Sequence, residues 1–238
     1  DELCSRAHWL VGHAARRPAF LLKRPFFTAN LVDRAKRWLD ATADSDAPTF
    51  TFLNLMEAHS PYFPPDDAFA ALGLDTPGPI EPRVLNTKLL AYVFGSIELA
   101  PDQRERVMEY YDACLRYQDR KVAELLRTLK DHDTFDDTLV VVCSDHGKTL
   151  GDVSRNSTPP HYVYEHNTDV PLFVKRPGQR AKERVTDPAE LTRLFEVFVD
   201  TPTRPKAALS RDEYGLVEDF IPHTGNEEQD SDRWHVLC

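Results

Sequence analysis

Two short runs of β-branched, aromatic and aliphatic residues constrain this chain most: Thr49 to Leu55 and Thr138 to Cys143, each breaking off into a loop dense in polar residues. Runs of that length and composition suit strands buried on both faces, as in a parallel sheet. Between them, Pro101 opens a stretch in which Val107, Tyr110, Cys114, Tyr117, Leu125 and Leu129 keep helical period, and proline is favoured at the first helical position. After a turn at Asp136-Asp137 and the second run, a third strand is expected at Val170 to Val174. An amphipathic helix should follow from Asp187 through Leu191, Leu194, Phe195 and Phe198. Near the start, Thr28 is placed to cap a helix carrying Leu31, Ala35, Trp38 and Leu39. Residues 73–85, rich in Gly and Pro, read as loop. This alternation is the rhythm of an α/β protein with a mostly parallel central sheet, in which ligands gather in loops at the carboxyl ends of strands. The expected organisation is a poorly defined segment 1–27 broken by Pro18 and Pro25, an α/β domain over 28–200, and a tail over 201–238 with no core face.

Composition narrows the partners. With 238 residues, 41 % of them apolar, there is enough for a real core. A formal charge of −10 argues against a general nucleic-acid binder, which needs a basic surface to release counterions. Basic residues dominate between Arg6 and Arg37, as a landing surface for an anionic ester or simply a solvated helix face, and Glu218 to Asp232 is acidic. Cys4, Cys114, Cys143 and Cys238 form no C-x-x-C pair, which removes a zinc-finger reading and fits a reducing, cytoplasmic setting. No apolar stretch approaches the ~20 residues needed to cross a bilayer, and no signal peptide is expected. The chain opens at Asp1 rather than Met, which leads us to expect an upstream segment.

Three constellations could carry chemistry. Ser144-Asp145-His146-Gly147 directly follows the Leu139 to Cys143 run. A carboxylate and an imidazole at the mouth of a strand are ligand types that suit a divalent cation, and Gly147 allows a sharp turn. An Asp that caps its own turn beside a hydrogen-bonded His would leave the same sequence trace. Glu57-Ala58-His59-Ser60-Pro61-Tyr62 follows the other run, and His59 there could donate to an anionic oxygen or act as a general acid, or simply face water. Finally, His161-Tyr162-Val163-Tyr164-Glu165-His166 precedes the third strand, with two imidazoles able to face an anion and Glu165 able to orient one of them; taken singly, either His fits a structural role better than a catalytic one.

Taken in order, four segments resemble the sulfatase family of the alkaline phosphatase superfamily. Thr49 to Pro65 (TFTFLNLMEAHSPYFPP) is similar to its strand ending in a histidine followed by Pro and Tyr. Tyr111 to Leu129, including Asp119, resembles the helix before its S-D-H-G strand. Asp137 to Asp152 (DTLVVVCSDHGKTLGD) resembles the strand, the S-D-H-G turn and a downstream L-G-E, and Tyr164 to Gly178 (YEHNTDVPLFVKRPG) looks like its Y-E…V-P-L…P-G segment. The similarity covers roughly residues 28 to 200.

The resemblance implies an alkaline-phosphatase-like fold acting on an anionic small-molecule or glycan ester, sulfate esters first. Asp145 and His146 would be two ligands of a divalent metal ion (Ca, Mn or Zn). His59 would contact the transferred group or its leaving oxygen, and His161 lies near the place of a substrate-contacting lysine. A phosphodiesterase or phosphoglycerol transferase of the same superfamily is the alternative, since fold does not choose between them; a non-catalytic binding protein of the same descent is the other. Two departures stand out. Lys148 occupies a position where relatives with S-D-H-G commonly have Glu. No strand ending in paired aspartates and no C-x-P-S-R nucleophile motif precedes residue 28; Cys4-Ser5-Arg6 resembles the end of that motif but lacks the proline. The sheet is therefore expected to be incomplete at its N-terminal side, with an unpaired edge. Catalysis by these residues alone is not expected.

Overall fold

A computed structural model describes residues 27–45, 47–148, 165–186 and 188–199, together with the backbone of 215–218 and 234–237. The chain divides into two compact units, Asp1–Thr128 and Leu129–Cys238.

In the first unit, helix α1 (Phe27–Thr42) turns Thr28, Val32 and Ala35 inward, the i, i+4, i+7 spacing of one helical face. Its last turn closes when the Thr42 hydroxyl donates to the Trp38 carbonyl at 2.9 Å. A short α2 (Asp66–Ala70) starts after Pro65 with both carboxylates in its first turn, where they face the positive end of the helix dipole. Helix α3 (Glu81–Val93) carries Pro82 in its opening turn, where the missing N–H costs nothing. It stops at Gly95 (φ 70°), whose N–H donates to Tyr92 O at 2.9 Å while that of Ser96 reaches Ala91 O at 2.8 Å, the left-handed end that glycine tolerates. Helix α4 (Pro101–Asp131) buries Val107, Tyr110, Ala113, Cys114 and Tyr117 along one stripe. Tyr62, Phe69, Leu85, Leu89 and Tyr92 complete the core on that stripe. Phe69 meets Tyr110 edge-on at 4.9 Å between ring centres, and the Arg106 guanidinium lies 5.4 Å from the Phe69 ring and 5.2 Å from that of Tyr110. Glu81 and Glu109 hold that guanidinium at 2.6 and 2.5 Å, so this cation packs on aromatic faces without being left uncompensated.

The second unit is built on a small ribbon. Strand β1 (Val140–Cys143) pairs antiparallel with β2 (Leu172–Lys175), Val140 opposite Lys175 and Cys143 opposite Leu172. Before β2 lies a single helical turn, α5 (Glu165–Thr168), and after it a 3₁₀ turn (Leu191–Arg193) leads into α6 (Leu194–Val199). Val197 of α6 is fully buried against Leu139, Leu172, Val174 and Leu194. The Lys175 ammonium pins the turn before β1 by donating to the carbonyls of Phe135, Asp136 and Thr138, the last two at 2.9 Å, and sits 4.6 Å from the Phe135 ring. Desolvation there lowers its pKa. A second ribbon pairs β3 (Gly215–Glu218) with β4 (Trp234–Leu237), also antiparallel.

Several expectations are corrected. Both described pairings are antiparallel, so the mostly parallel sheet is not present among the described residues. Within the Thr138 to Cys143 run the strand begins at Val140, and Val142 and Cys143, on opposite faces of it, are both exposed because a two-stranded ribbon with one small helix covers little of either face at that end. The Thr49 to Leu55 run lies in neither ribbon, and Phe52 is 78 % exposed. Within 73–85, read as loop, α3 begins at Glu81, and the tail contains the β3–β4 ribbon. On α1, Val32 takes the inward position while Trp38 is exposed. Asp187 lies outside the described residues. No described helix is long and apolar enough to cross a membrane.

The contrast between Phe69, which is 0 % exposed, and Phe52 is testable. Phe69→Ala should cost about 3–5 kcal/mol in urea unfolding, whereas Phe52→Ala should stay within about 0.5 kcal/mol. A Phe52→Ala loss as large as that of Phe69→Ala would contradict the packing described.

Candidate active site

The Ser144–Gly147 turn grows directly out of the β1–β2 ribbon. Ser144 N–H donates to Pro171 O at 3.3 Å, extending the pairing by one step, and its hydroxyl closes the turn on His146 O at 2.7 Å. The Asp145 carboxylate accepts from His146 N–H at 3.1 Å. His146 Nδ1 lies 2.8 Å from Gly147 O. A carbonyl only accepts, so Nδ1 carries the proton in that bond and Nε2 is the ring nitrogen left to another partner. Both turn contacts are those of a self-capped Asp and a hydrogen-bonded His, and they leave Nε2 and the remaining lone pairs of the Asp145 carboxylate, Oδ1 included, for another partner.

The donor set fits a divalent cation in part. Nε2 of His146 and Oδ1 of Asp145 are 4.0 Å apart, within the span of two metal–ligand bonds of ~2.0–2.6 Å each. Both side chains are open, Asp145 at 86 % and His146 at 51 % exposure. Among the described residues no group of three or more His, Cys, Asp or Glu converges on one point. Two donors hold a cation weakly, so further ligands must come from elsewhere for a working metal site. Cys143, one residue before the turn, is not poised as a nucleophile: desolvation pushes its thiol pKa up and Asp145 adds to the shift.

Gly147 has a different reason to be glycine than a sharp turn. Its N–H donates to Asn167 O at 2.8 Å. A Cβ built on it would sit 1.8 Å from the His166 carbonyl oxygen and 2.8 Å from the carbonyl carbon, both backbone atoms. The turn is therefore pressed directly onto α5, which brings the Asp145-His146 pair and the Glu165–Asn167 segment into one local assembly. Asn167 is buried there, while Glu165 and His166 are exposed. His161 lies outside the described residues, as do Cys4-Ser5-Arg6 and most of the basic stretch before Arg34.

His59 belongs to the first unit. A tight turn, His59 N–H to Met56 O at 3.0 Å, lifts it to the surface, and its Nδ1 lies 2.6 Å from Ser60 O. By the same carbonyl argument Nδ1–H donates, and Nε2 is the atom presented outward. The loop is fastened on both flanks. Upstream, the Glu57 carboxylate accepts from Thr28 N–H at 2.7 Å and from the Thr28 hydroxyl, at the first turn of α1, where carboxylates are favoured. Burial nevertheless pushes the Glu57 pKa up, against the lowering by its hydrogen bonds. Downstream, buried Asn86 accepts from Tyr62 N–H and donates to Tyr62 O, each at 2.7 Å, and also donates to Pro82 O at 2.7 Å. Sequence reasoning passed over Asn86. Its signal was a lone amide between Leu85 and Leu89 on the apolar face of α3, where a buried polar group must find partners.

The close approach at Gly147 predicts the response to one methyl group. Gly147→Ala must push the turn off α5 and should cost about 1–3 kcal/mol, read as a lowered thermal midpoint. An unchanged midpoint would mean that the turn does not rest on the α5 backbone.

Similarity to known proteins shows the family. The sequence profile of the Sulfatase family matches residues 12–201, well over half of the chain. A choline-sulfatase from Rhizobium meliloti (strain 1021) is 32 % identical over 108 residues, 45 % of this chain and 20 % of that protein. A sulfatase from Formosa agariphila is 25 % identical over 165 residues, 64 % of this chain and 32 % of that protein. Among solved structures, yidJ from Bacteroides fragilis, whose own description as a sulfatase is provisional, superposes with a TM-score of 0.56 at 21 % identity, covering 78 % of this chain and 39 % of that one. The chain thus spans between a fifth and a third of the length of these two curated relatives. The mixed helices and small sheet share the fold of that neighbour, and the chain belongs to the sulfatase family of the alkaline phosphatase superfamily.

Proposed function

We propose that this chain supplies the metal-binding and charge-stabilising part of a sulfate-ester hydrolase, with the nucleophile and the remaining metal ligands provided by sequence other than the described residues. The observation that carries the reading is the turn at the end of β1, where Asp145 and His146 present an oxygen and Nε2 4.0 Å apart within the span matched by the Sulfatase profile. Asp145 and His146 would hold a divalent cation, which when bound supplies Lewis-acid polarisation of the ester oxygen.

The chain's own imidazoles do the rest. With Nδ1–H already committed to Ser60 O, the His59 ring is oriented and Nε2 is left to meet the substrate. Protonated there, it donates to the leaving oxygen as the ester bond breaks, and the neutral ring regains its proton from water. Along that path the imidazolium offsets negative charge on the departing group. His161 is assigned the same stabilising role by its place in the sequence. The substrate class is an anionic small-molecule or glycan sulfate ester. We also assign the Thr49 to Leu55 run to a strand position in a parallel sheet completed by strands outside the described residues. That assignment is supported by its β-forming composition and by the exposure of Phe52. A reducing, cytoplasmic setting belongs to the same proposal; neither Cys114 nor Cys143 is in a disulfide.

The test separates metal from turnover. Titration of the 238-residue chain with Mn²⁺, Ca²⁺ and Zn²⁺ by calorimetry should show binding that His146→Ala weakens by about tenfold or more. In the complete protein, an aryl sulfate should be hydrolysed and chelation should abolish the rate. Unchanged metal affinity in His146→Ala removes the ligand assignment, and turnover of an aryl phosphodiester without the sulfate moves the reading to phosphate chemistry.

A further inference from the structure

Nothing about a reactive imidazole requires the residues beside it to be doubly bonded, yet the His59 loop is held that way on both flanks, at half-buried Glu57 and at buried Tyr62. Glu57, two residues ahead of the ring, places its carboxylate on Thr28, itself 0 % exposed, receiving both the backbone N–H and the hydroxyl. Tyr62, three residues beyond the ring, is gripped through both its backbone N–H and its carbonyl by the single Asn86 side chain. These anchors come from three separate places: the first turn of α1, the inward face of α3 and the loop itself. Each is expensive to bury unless it is satisfied, and the amide of Asn86 and the carboxylate of Glu57 are each satisfied at two or more points. What lies between the anchors is a four-residue span, Ala58 to Pro61, in which His59 alone carries a titratable side chain, and that side chain is exposed while the flanking anchors are held.

We propose that Glu57 and Asn86 are positioning residues for His59, fixing the backbone so that Nδ1 stays on Ser60 O and Nε2 alone is presented outward. The assignment rests on the reading of His59 as the charge-stabilising imidazole, but its geometry can be tested without any turnover. A histidine side chain in water favours the Nε2–H tautomer, whereas the contact with Ser60 O requires Nδ1–H. The clamp therefore selects the less favoured tautomer, and losing it releases the ring to the other. Glu57→Gln keeps an oxygen able to accept from Thr28 N–H and so retains most of the anchor. Glu57→Asp keeps the charge but is one methylene too short to reach Thr28 without moving the loop or the helix. Asn86→Ser keeps a polar group but loses the two-point grip on Tyr62.

The experiment is ¹⁵N NMR of histidine-labelled 238-residue chain, in which the ring nitrogen shifts report which nitrogen carries the proton, with His59→Gln used to assign the signal. The wild type should show His59 as Nδ1–H. Glu57→Asp and Asn86→Ser should convert it to a mixed or Nε2–H signature while helical circular dichroism is retained, and Glu57→Gln should restore the native one. Ala35→Gly, which weakens α1 from its buried face without touching either anchor, should leave the signature alone. In the complete protein, the same two clamp variants should lower kcat for an aryl sulfate by about tenfold or more, with KM within about twofold, because misplacement acts on the oriented reaction rather than on binding. A native His59 signature in both folded clamp variants overturns the proposal, as does an equal change in Ala35→Gly, which would reduce the anchors to general stability. A converted signature with no loss of rate in either the clamp variants or His59→Gln upholds the positioning and instead overturns the catalytic reading of His59.

Discussion

The stripe that α4 buries is what the first unit is organised around. Val107, Tyr110, Cys114 and Tyr117 recur at helical spacing over three turns, and the rings of Phe69 and Tyr62 reach it from α2 and from the His59 loop. Tyr62 meets Tyr111 edge-on at 5.8 Å, so the loop that carries His59 is seated by an aromatic contact before any hydrogen bond is counted. The charged groups follow from that seat. Arg106 must leave water to cover Phe69 and Tyr110, and Glu81 and Glu109 compensate it. Asn86, on the same inward face of α3 as Leu85 and Leu89, is drawn in far enough that its amide has to be satisfied, and the Tyr62 backbone satisfies it.

The second unit obeys a tighter constraint with less material. Two four-residue strands and one short helix bury only Val197 completely among their apolar side chains, which is little for a ribbon of this kind to stand on. Backbone contacts take up the shortfall. Lys175 gathers three carbonyls of the preceding turn, and the turn bearing Asp145 and His146 lies so close to α5 that no side chain fits at Gly147. The Asp145-His146 turn is thus placed by main-chain geometry rather than by a packed core. Both side chains on it remain open to solvent.

How legible this was in the sequence depended on whether a signal was local. Helix α4 and its buried face were readable because the period runs for many residues beside a favourable opening proline. Strand β1 and the turn after it were readable from composition. The order of four motif-like segments carried the family, which the profile match over residues 12–201 confirms. Partnering was not legible. Residues Val140–Cys143 read as a strand buried in a parallel sheet, yet composition says nothing about which strand lies alongside, and here it is the antiparallel β2. The run at Thr49 to Leu55 has equally strong strand composition and belongs to neither ribbon, because strand propensity expresses itself only where a neighbour offers its backbone. Helix α3 was hidden behind the Gly and Pro of 73–85, although Pro82 sits where helices begin. Glu57 and Asn86 act across 29 and 24 residues of sequence, separations at which no local pattern gives warning.

Two metal-type donors, an oriented histidine and membership of the sulfatase family fit part of the hydrolytic site proposed above and not the whole of one. On the proposed reading, the nucleophile and the remaining ligands are supplied by further polypeptide. The measurement that tests this most directly is the intact mass of the protein isolated from its native source. A mass well above the 27.2 kDa of this chain is expected, with the added sequence carrying paired carboxylates and a nucleophile. A mass equal to that of this chain would contradict it and leave a sulfatase-family protein that binds without turnover.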